Sequence, residues 1–133
     1  MIPAPELRTA LCAAVAEGDA RTAVYVDRAT GELVRVRDGA CLTEGLTAAR
    51  VEDDEARFAE APVVTVTDEF LWMEEFVAEL GEPAVAALLD GRKGAAERFA
   101  ARLAKEAPAA DAAWQRFRAA RIDELVTAFL AAL

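Results

Sequence analysis

Arginine side chains are the groups most suited to chemistry in this chain, because several repeat at helical spacing near its end. Arg98 and Arg102 are four residues apart and therefore share one face of a helix. Arg118 and Arg121, three residues apart, share a face in the same way. Since a guanidinium binds phosphate or carboxylate through paired hydrogen bonds, we predict a partner-binding patch of Arg98, Arg102, Arg116, Arg118 and Arg121. The alternative is that these arginines pair with acidic side chains of the same chain.

The charge of the chain is unevenly distributed. Residues 1–90 carry 7 basic and 19 acidic side chains, whereas residues 91–133 carry 8 basic and 5 acidic ones. The formal net charge of -9 repels polyanions at long range, which disfavours nonspecific binding to nucleic acid or to acidic membranes. The basic last third still permits a local anionic ligand. Binding of phosphate or nucleic acid by the arginines is therefore the alternative function.

Carboxylates occur in three runs, Asp53-Asp54-Glu55, Asp68-Glu69 and Glu74-Glu75. Paired carboxylates can perform acid–base catalysis or bind a hard cation. Neighbouring residues on a helix, however, point about 100° apart, so Glu74 and Glu75 do not readily share one ion. We expect solvated surface and helix caps at these runs, and we predict no metal and no cofactor.

Several catalytic chemistries are excluded by composition. The chain has no His, no Ser and no Asn, which removes serine–histidine triads and histidine metal ligands. Cys12 falls on the apolar side of a predicted helix and reads as an inert core thiol, while Cys41 has no basic neighbour in sequence to lower its pKa. Arg92-Lys93 lies between two glycines but lacks the P-loop pattern. We therefore predict that the chain is not an enzyme.

The start of the chain and its hydropathy predict a cytoplasmic protein. The opening segment has no basic stretch followed by an apolar core and a cleavage site, so we expect no signal peptide. No apolar run approaches the roughly 20 residues that a membrane span needs. In the cytoplasm both cysteines are expected to stay reduced.

The first third of the chain predicts a helix followed by a β-hairpin. Apolar residues recur at helical spacing over residues 5–17, and Gly18 is a plausible stop. Two runs follow in which valines recur at every second residue, as in a β-strand. These runs flank the turn that contains Asp27 and Gly31. Gly31 can adopt a positive φ, and Asp27 can hydrogen-bond the turn backbone.

The segment after the hairpin predicts a long connection and one more strand. Residues 38–61 read as a mobile surface loop, with a short helix in the acidic second half as the alternative. The β-branched run Pro62–Val66 predicts a third strand, because an isolated two-stranded hairpin is only marginally stable.

From Thr67 onward the pattern is helical, with Thr67 as a candidate N-cap. A short helix follows Gly81-Glu82-Pro83, another spans residues 95–106, Pro108 ends that region, and the last helix runs over residues 111–132. Aromatic residues at helical spacing are usually core rather than a ligand pocket. We therefore expect a core that includes Trp72, Phe76, Phe99, Trp114 and Phe117.

Five short motifs follow one another in an order typical of a known family. They are Tyr25-Val26-Asp27 with Thr30-Gly31-Glu32, Met73-Glu74-Glu75-Phe76, Gly94-Ala95 with Arg98-Phe99, Trp114-Gln115-Arg116-Phe117, and Phe129-Leu130. This order, over residues 20–132, resembles the bacterial uncharacterised protein family numbered zero-one-five-eight. The resemblance implies no activity, so no residue role is carried over.

The chain departs from that family pattern in its third and last motifs. Ala96, Glu97 and Ala100 replace a phenylalanine, an arginine and a lysine, and Phe129 stands where a tryptophan is usual. The replacement of two basic residues weakens any charged site that members of the family share.

Together these patterns predict a single α+β domain over residues 1–133. We expect a small antiparallel sheet, a hairpin plus a third strand, packed on a helical C-terminal half of four or five helices. The function predicted first is a non-catalytic interaction or regulatory protein that binds another protein or a second copy of itself. A phosphate- or nucleic-acid-binding module comes second, and an enzyme of unrecognised type third.

Overall fold

The chain combines helices with one antiparallel sheet, which confirms the predicted α+β class. The computed structural model describes residues 5–17, 21–89 and 95–133, and for residues 95–97 it describes the backbone alone. The elements are α1 (Pro5–Ala16), β1 (Thr22–Asp27), β2 (Leu33–Arg37), β3 (Ala40–Cys41), α2 (Ala48–Asp53), β4 (Phe58–Glu60), α3 (Val66–Leu80), α4 (Pro83–Ala86), α5 (Ala95–Glu106) and α6 (Pro108–Ala131). Gly18 and the Gly91–Gly94 segment lie outside the described residues.

Contacts between residues divide the chain into two compact units. The first unit lies within Met1–Val63 and Ile122–Leu133, and it holds α1, the sheet, α2 and the end of α6. The second unit, Val64–Arg121, holds α3, α4, α5 and the first part of α6. The single domain over residues 1–133 stays a prediction.

β1 and β2 form the predicted hairpin and pair antiparallel along their length. Gly31 has a φ of 77°, the left-handed region that its lack of a Cβ makes accessible. The Asp27 carboxylate accepts a hydrogen bond from the backbone N–H of Ala29 at 2.9 Å, and its carbonyl accepts one from Gly31 at 2.7 Å. Both residues therefore have the turn roles that the sequence predicts.

The sheet has four strands in the order β3-β2-β1-β4, and the strand predicted over Pro62–Val66 is wrong. The strand that pairs with β1 is β4, which lies earlier in the chain. Phe58 and Ala59 are buried there, whereas Val63 is exposed. The β-branched run instead leads into α3, because Thr65 forms the N-cap of that helix.

The connection over residues 38–61 is not a plain surface loop, because it contains β3, α2 and β4. A short helix is present, as the alternative predicts, but α2 begins at Ala48, before the acidic half, and only its last turn lies within that half. Thr47 caps this helix by accepting a hydrogen bond from the N–H of Arg50 at 3.2 Å, and Val51 on its inner face is fully buried. One buried valine among charged neighbours is too weak a periodic signal to predict a helix firmly.

The two faces of the sheet are covered by different helices of the first unit. On one face a buried cluster joins α2 to the strands through Tyr25, Val34, Val36, Val51 and Phe58. Helix α1, which contacts β2, buries its stripe of Leu7, Leu11 and Val15. Arg8 connects this helix to the end of α6. Its guanidinium donates hydrogen bonds to Asp123 at 2.5 Å and to Thr127 at 2.6 Å.

The second unit is built around the predicted aromatic core. Met73, Phe76, Val85, Phe99, Leu103, Ala110 and Trp114 form its buried cluster, with Trp72 and Phe117 packed against it. Phe99 on α5 meets Trp114 on α6 edge-on, with ring centroids 5.7 Å apart. In the sequence, Phe99 and Trp114 lie at similar distances before and after Ala107. Their contact therefore shows that the chain reverses direction between α5 and α6.

Two predicted helix boundaries in the second unit are wrong. The N-cap of α3 is Thr65, not Thr67: the Thr65 hydroxyl accepts from the N–H of Asp68 at 3.1 Å, and the Asp68 carboxylate accepts from the N–H of Thr65 at 3.0 Å. This reciprocal capping box explains the earlier start. Pro108 begins α6 rather than ending a region, because proline at the first helical position loses no intrahelical hydrogen bond.

Candidate functional site

The predicted arginine patch is distributed over α5 and α6, and two of its members bind acidic side chains of α3. Arg118 donates from Nε and Nη2 to Glu69 Oε1, both at 2.8 Å. Arg121 forms an ion pair with Glu75. These contacts support, for both arginines, the alternative in which basic residues of the last third complement acidic residues of the preceding segment.

The other arginines of the patch differ in their exposure. The half-buried Arg102 donates from Nη1 to the carbonyl of Leu88 at 3.1 Å. Arg98 and Arg116 are exposed. The patch as a partner-binding site thus stays a prediction, with Arg98 and Arg116 as its most accessible members.

A bidentate ion pair that sequence reasoning missed joins Asp27 to Arg57. Nε of Arg57 lies 3.1 Å from Oδ1 of Asp27, and Nη2 lies 2.9 Å from Oδ2. The Arg57 guanidinium also lies 4.9 Å from the ring centroid of Phe58. The hydrogen bonds from Arg57 lower the pKa of the Asp27 carboxyl, although burial alone would raise it. A carboxylate held ionised in this way is a poor proton acceptor near neutral pH, so the pair is structural.

One sequence signal was available for this pair. Tyr25 and Asp27 are two residues apart on a strand, so they face the same side of the sheet, and both are buried. A buried aspartate requires a charged partner. Which arginine supplies it depends on the pairing of β1 with β4, because that register places Asp27 opposite Phe58, the neighbour of Arg57.

Besides the ion pairs of Glu69 and Glu75, two members of the carboxylate runs cap helices. Asp68 belongs to the capping box of α3, and Asp54 is the C-cap of α2 and accepts a hydrogen bond from the N–H of Arg57 at 3.2 Å.

Both cysteines are free and half-buried, and the Sγ of Cys41 lies 3.7 Å from the carbonyl of Thr43. Within residues 5–17, 21–89 and 95–133, no three or more Cys, Asp and Glu side chains are placed to hold one metal ion.

An apolar groove of about 280 Å³ lies in the first unit. We define it by Val15, Val24, Leu42, Pro62 and Val63, with the charged side chains Glu17, Arg35 and Arg37 at its margin. Leu42 is 61% exposed and Val63 46% exposed, so two large aliphatic side chains face solvent in one concave surface. We therefore take this concave surface as the candidate interaction site.

Arg35 is the charged residue of the apolar groove with the most freedom to bind a partner. Its side chain is exposed and makes no hydrogen bond or ion pair with the described part of the chain. On β2 it alternates with the buried Val34 and Val36, so the pleat of the strand points it away from the cluster on the opposite face. The sequence showed this alternation but not that Leu42 and Val63 lie beside it.

The fold and the groove define an α+β protein that presents a mixed aliphatic and basic surface. The chain matches the model of the uncharacterised protein family UPF0158 over residues 6–132, and it belongs to that family. The resemblance inferred from the motif order is thereby confirmed. No curated protein and no solved structure matches the chain. No helix among the described residues is long and apolar enough to cross a membrane.

Proposed function

We propose that this protein is a non-catalytic interaction protein that binds another protein through the apolar groove. The observation that carries the proposal is the exposure of Leu42 and Val63 in one concavity beside Arg35. Aliphatic centres with arginine at the margin are typical of protein–protein contacts. Covering these side chains removes apolar surface from water, which favours a complex.

The chemistry of the groove indicates the kind of segment it accepts. An aliphatic side chain of the partner would pack between Leu42 and Val63, and a carboxylate would bind the guanidinium of Arg35. Arginine suits this role because its planar fork matches a carboxylate. The partner is therefore a polypeptide with an aliphatic residue close to an acidic one. The proposed compartment is the bacterial cytoplasm, where the two free thiols stay reduced.

Phosphate or nucleic-acid binding by the C-terminal arginines has less support. Arg118 and Arg121 already bind carboxylates of α3, and Arg102 binds a backbone carbonyl. A phosphate would have to displace these partners. The acidic chain would also lower the local concentration of a polyanion.

Selection from a random peptide library displayed on phage tests the proposal. We expect enriched peptides to combine aliphatic and acidic residues, and we expect their binding to be lost in Leu42→Glu. The matched control is Leu71→Glu, because Leu71 on α3 is also an exposed leucine, at 46%, in the other unit. Equal loss in both variants, or no enrichment, would contradict the proposal. A steep loss of binding with salt would instead indicate contacts that are mainly ionic.

A further inference from the structure

The apolar groove carries charges of both signs that are not neutralised by the described part of the chain. Arg35 on β2 and Glu17, which directly follows α1, both line the groove, and both are exposed. Neither side chain forms an ion pair or a hydrogen bond with residues 5–17, 21–89 or 95–133. The groove therefore presents one carboxylate and one guanidinium to whatever binds it.

Glu17 lies where the field of a helix disfavours a carboxylate. It follows Ala16, the last residue of α1, and the negative end of a helix dipole repels an anion and attracts a cation. The last turn of α1 contains no basic side chain that would offset this repulsion. A guanidinium supplied by a partner would offset it. This end of the groove thus favours a basic group, whereas Arg35 favours an acidic one.

The groove also contains both halves of an aliphatic contact, a projecting side chain and a concave surface that can receive one. Leu42, immediately after the edge strand β3, is 61% exposed and supplies the projecting side chain. The concave part is lined by Val24, Pro62 and the 46% exposed Val63. Since the projecting and receiving groups belong to one surface, two identical copies can exchange them.

We propose that the partner of the apolar groove is a second copy of this chain, related to the first by a two-fold axis. In such a dimer every contact occurs twice, so the surface must be complementary to itself. Glu17 of each copy would bind Arg35 of the other copy, and Leu42 of each would pack against Val63 of the other. The inference rests on the proposed function, because it takes the groove as the binding surface, and it adds the identity of the partner.

The dimer should dissociate in the micromolar range. Its centre consists of two Leu42–Val63 contacts, and exposed ion pairs add little affinity, so the contact belongs to the smaller class of interfaces. Each copy also has a formal net charge of -9, which repels the other copy at long range. At nanomolar protein the groove is therefore open to the peptides that test the proposed function.

Sedimentation equilibrium of the full chain between micromolar and millimolar concentrations tests the dimer. We expect the mean mass to rise from that of one chain toward that of two, and we expect Leu42→Glu to stay monomeric. Leu71→Glu is the matched control, because it changes an exposed leucine of the other unit, and it should dimerise as the unaltered chain does. A dimer that survives Leu42→Glu would overturn the proposal. A monomeric chain that binds the selected peptides would overturn only the second copy as partner, and one that binds no peptide would overturn the proposed function too.

Charge reversal distinguishes this dimer from any other apolar association. Glu17→Arg and Arg35→Glu should each weaken dimerisation about tenfold or more, because each places like charges opposite one another. An equal mixture of the two variants should recover dimerisation, since opposite charges then face each other at both contacts. Glu52→Arg and Arg50→Glu on α2 are the controls, because they make the same charge changes outside the groove. No recovery in the mixture, or an equal loss in the controls, would overturn the proposal.

Discussion

Asp27 and Arg57 meet through two parallel hydrogen bonds, with Nε 3.1 Å from Oδ1 and Nη2 2.9 Å from Oδ2. Asp27 ends β1, and Arg57 immediately precedes β4, so the pair ties the hairpin to the edge strand. The carboxylate is 4% exposed and also accepts from the N–H of Ala29. Its acceptor sites are thus filled by groups that hold the turn and the edge strand together.

The ion pair should make stability depend on acid pH. Because Arg57 lowers the folded-state pKa of Asp27, the unfolded chain takes up a proton at this residue first as the pH falls. The contribution is complete above the unfolded pKa of about 4 and is lost as the pH falls through the folded-state pKa. We expect Asp27→Asn to lose about 1–3 kcal/mol at neutral pH and to show a shallower acid transition in urea melts.

Asp53→Asn is the control for this change, since Asp53 is an exposed carboxylate at the end of α2. It should leave both the neutral-pH stability and the acid transition close to those of the unaltered chain. An acid transition in Asp27→Asn as steep as that of the control would show that the pair contributes nothing.

The positive φ of Gly31 makes the hairpin turn sensitive to side-chain branching. With φ at 77°, Gly31→Val should cost more than about 1 kcal/mol, since β-branched residues strongly disfavour this region. Gly31→Asn should cost less, because asparagine tolerates it best among the other residues. Equal losses of stability in thermal melts of the two variants would show that backbone strain at residue 31 is not the cause of the loss.

The capping box of α3 distinguishes two threonines that the sequence alone did not separate. Thr65→Ala removes the acceptor for the N–H of Asp68 and should cost about 0.5–2 kcal/mol. Thr67→Ala lies inside the first turn, where alanine is a better helix former, and should be close to neutral. Chemical denaturation of both variants makes the comparison, and a larger loss at Thr67 would contradict the assignment of the cap.

Trp114 should be the most costly residue to truncate in the second unit. It is 2% exposed and contacts the rings of Phe76, Phe99 and Phe117. Trp114→Ala should therefore lose about 3–5 kcal/mol. In a Trp72→Phe background the remaining fluorescence should resist quenching by iodide. Ready quenching there would place Trp114 on the surface.

The sequence predicted features whose cause is local. The hairpin follows from alternation around Asp27 and Gly31, and the aromatic core follows from helical spacing of residues such as Phe99 and Trp114. The third strand was misplaced because β-branched residues at 62–66 have high strand propensity, whereas the reciprocal hydrogen bonds of Thr65 start a helix. Propensity is a weak signal when a cap competes with it.

The binding features depend on contacts that no local pattern contains. Leu42 and Val63 lie far apart in sequence, and only the pairing of the strands brings them to one groove. Glu17 joins Arg35 at that groove because α1 contacts β2. The arginine patch was predictable as a set of charges, but the partners of Arg118 and Arg121 depend on how α3 packs in the second unit.

The apolar groove competes directly with the arginine patch as the protein-binding surface. Fluorescence polarisation of a labelled peptide from the phage selection can compare Arg35→Glu with the double variant Arg98→Glu and Arg118→Glu, each checked for its melt. We predict that Arg35→Glu abolishes binding, because it replaces the guanidinium that pairs with the peptide carboxylate, and that the double variant binds as the unaltered chain does. Binding that survives Arg35→Glu and is lost in the double variant would contradict the groove as the site.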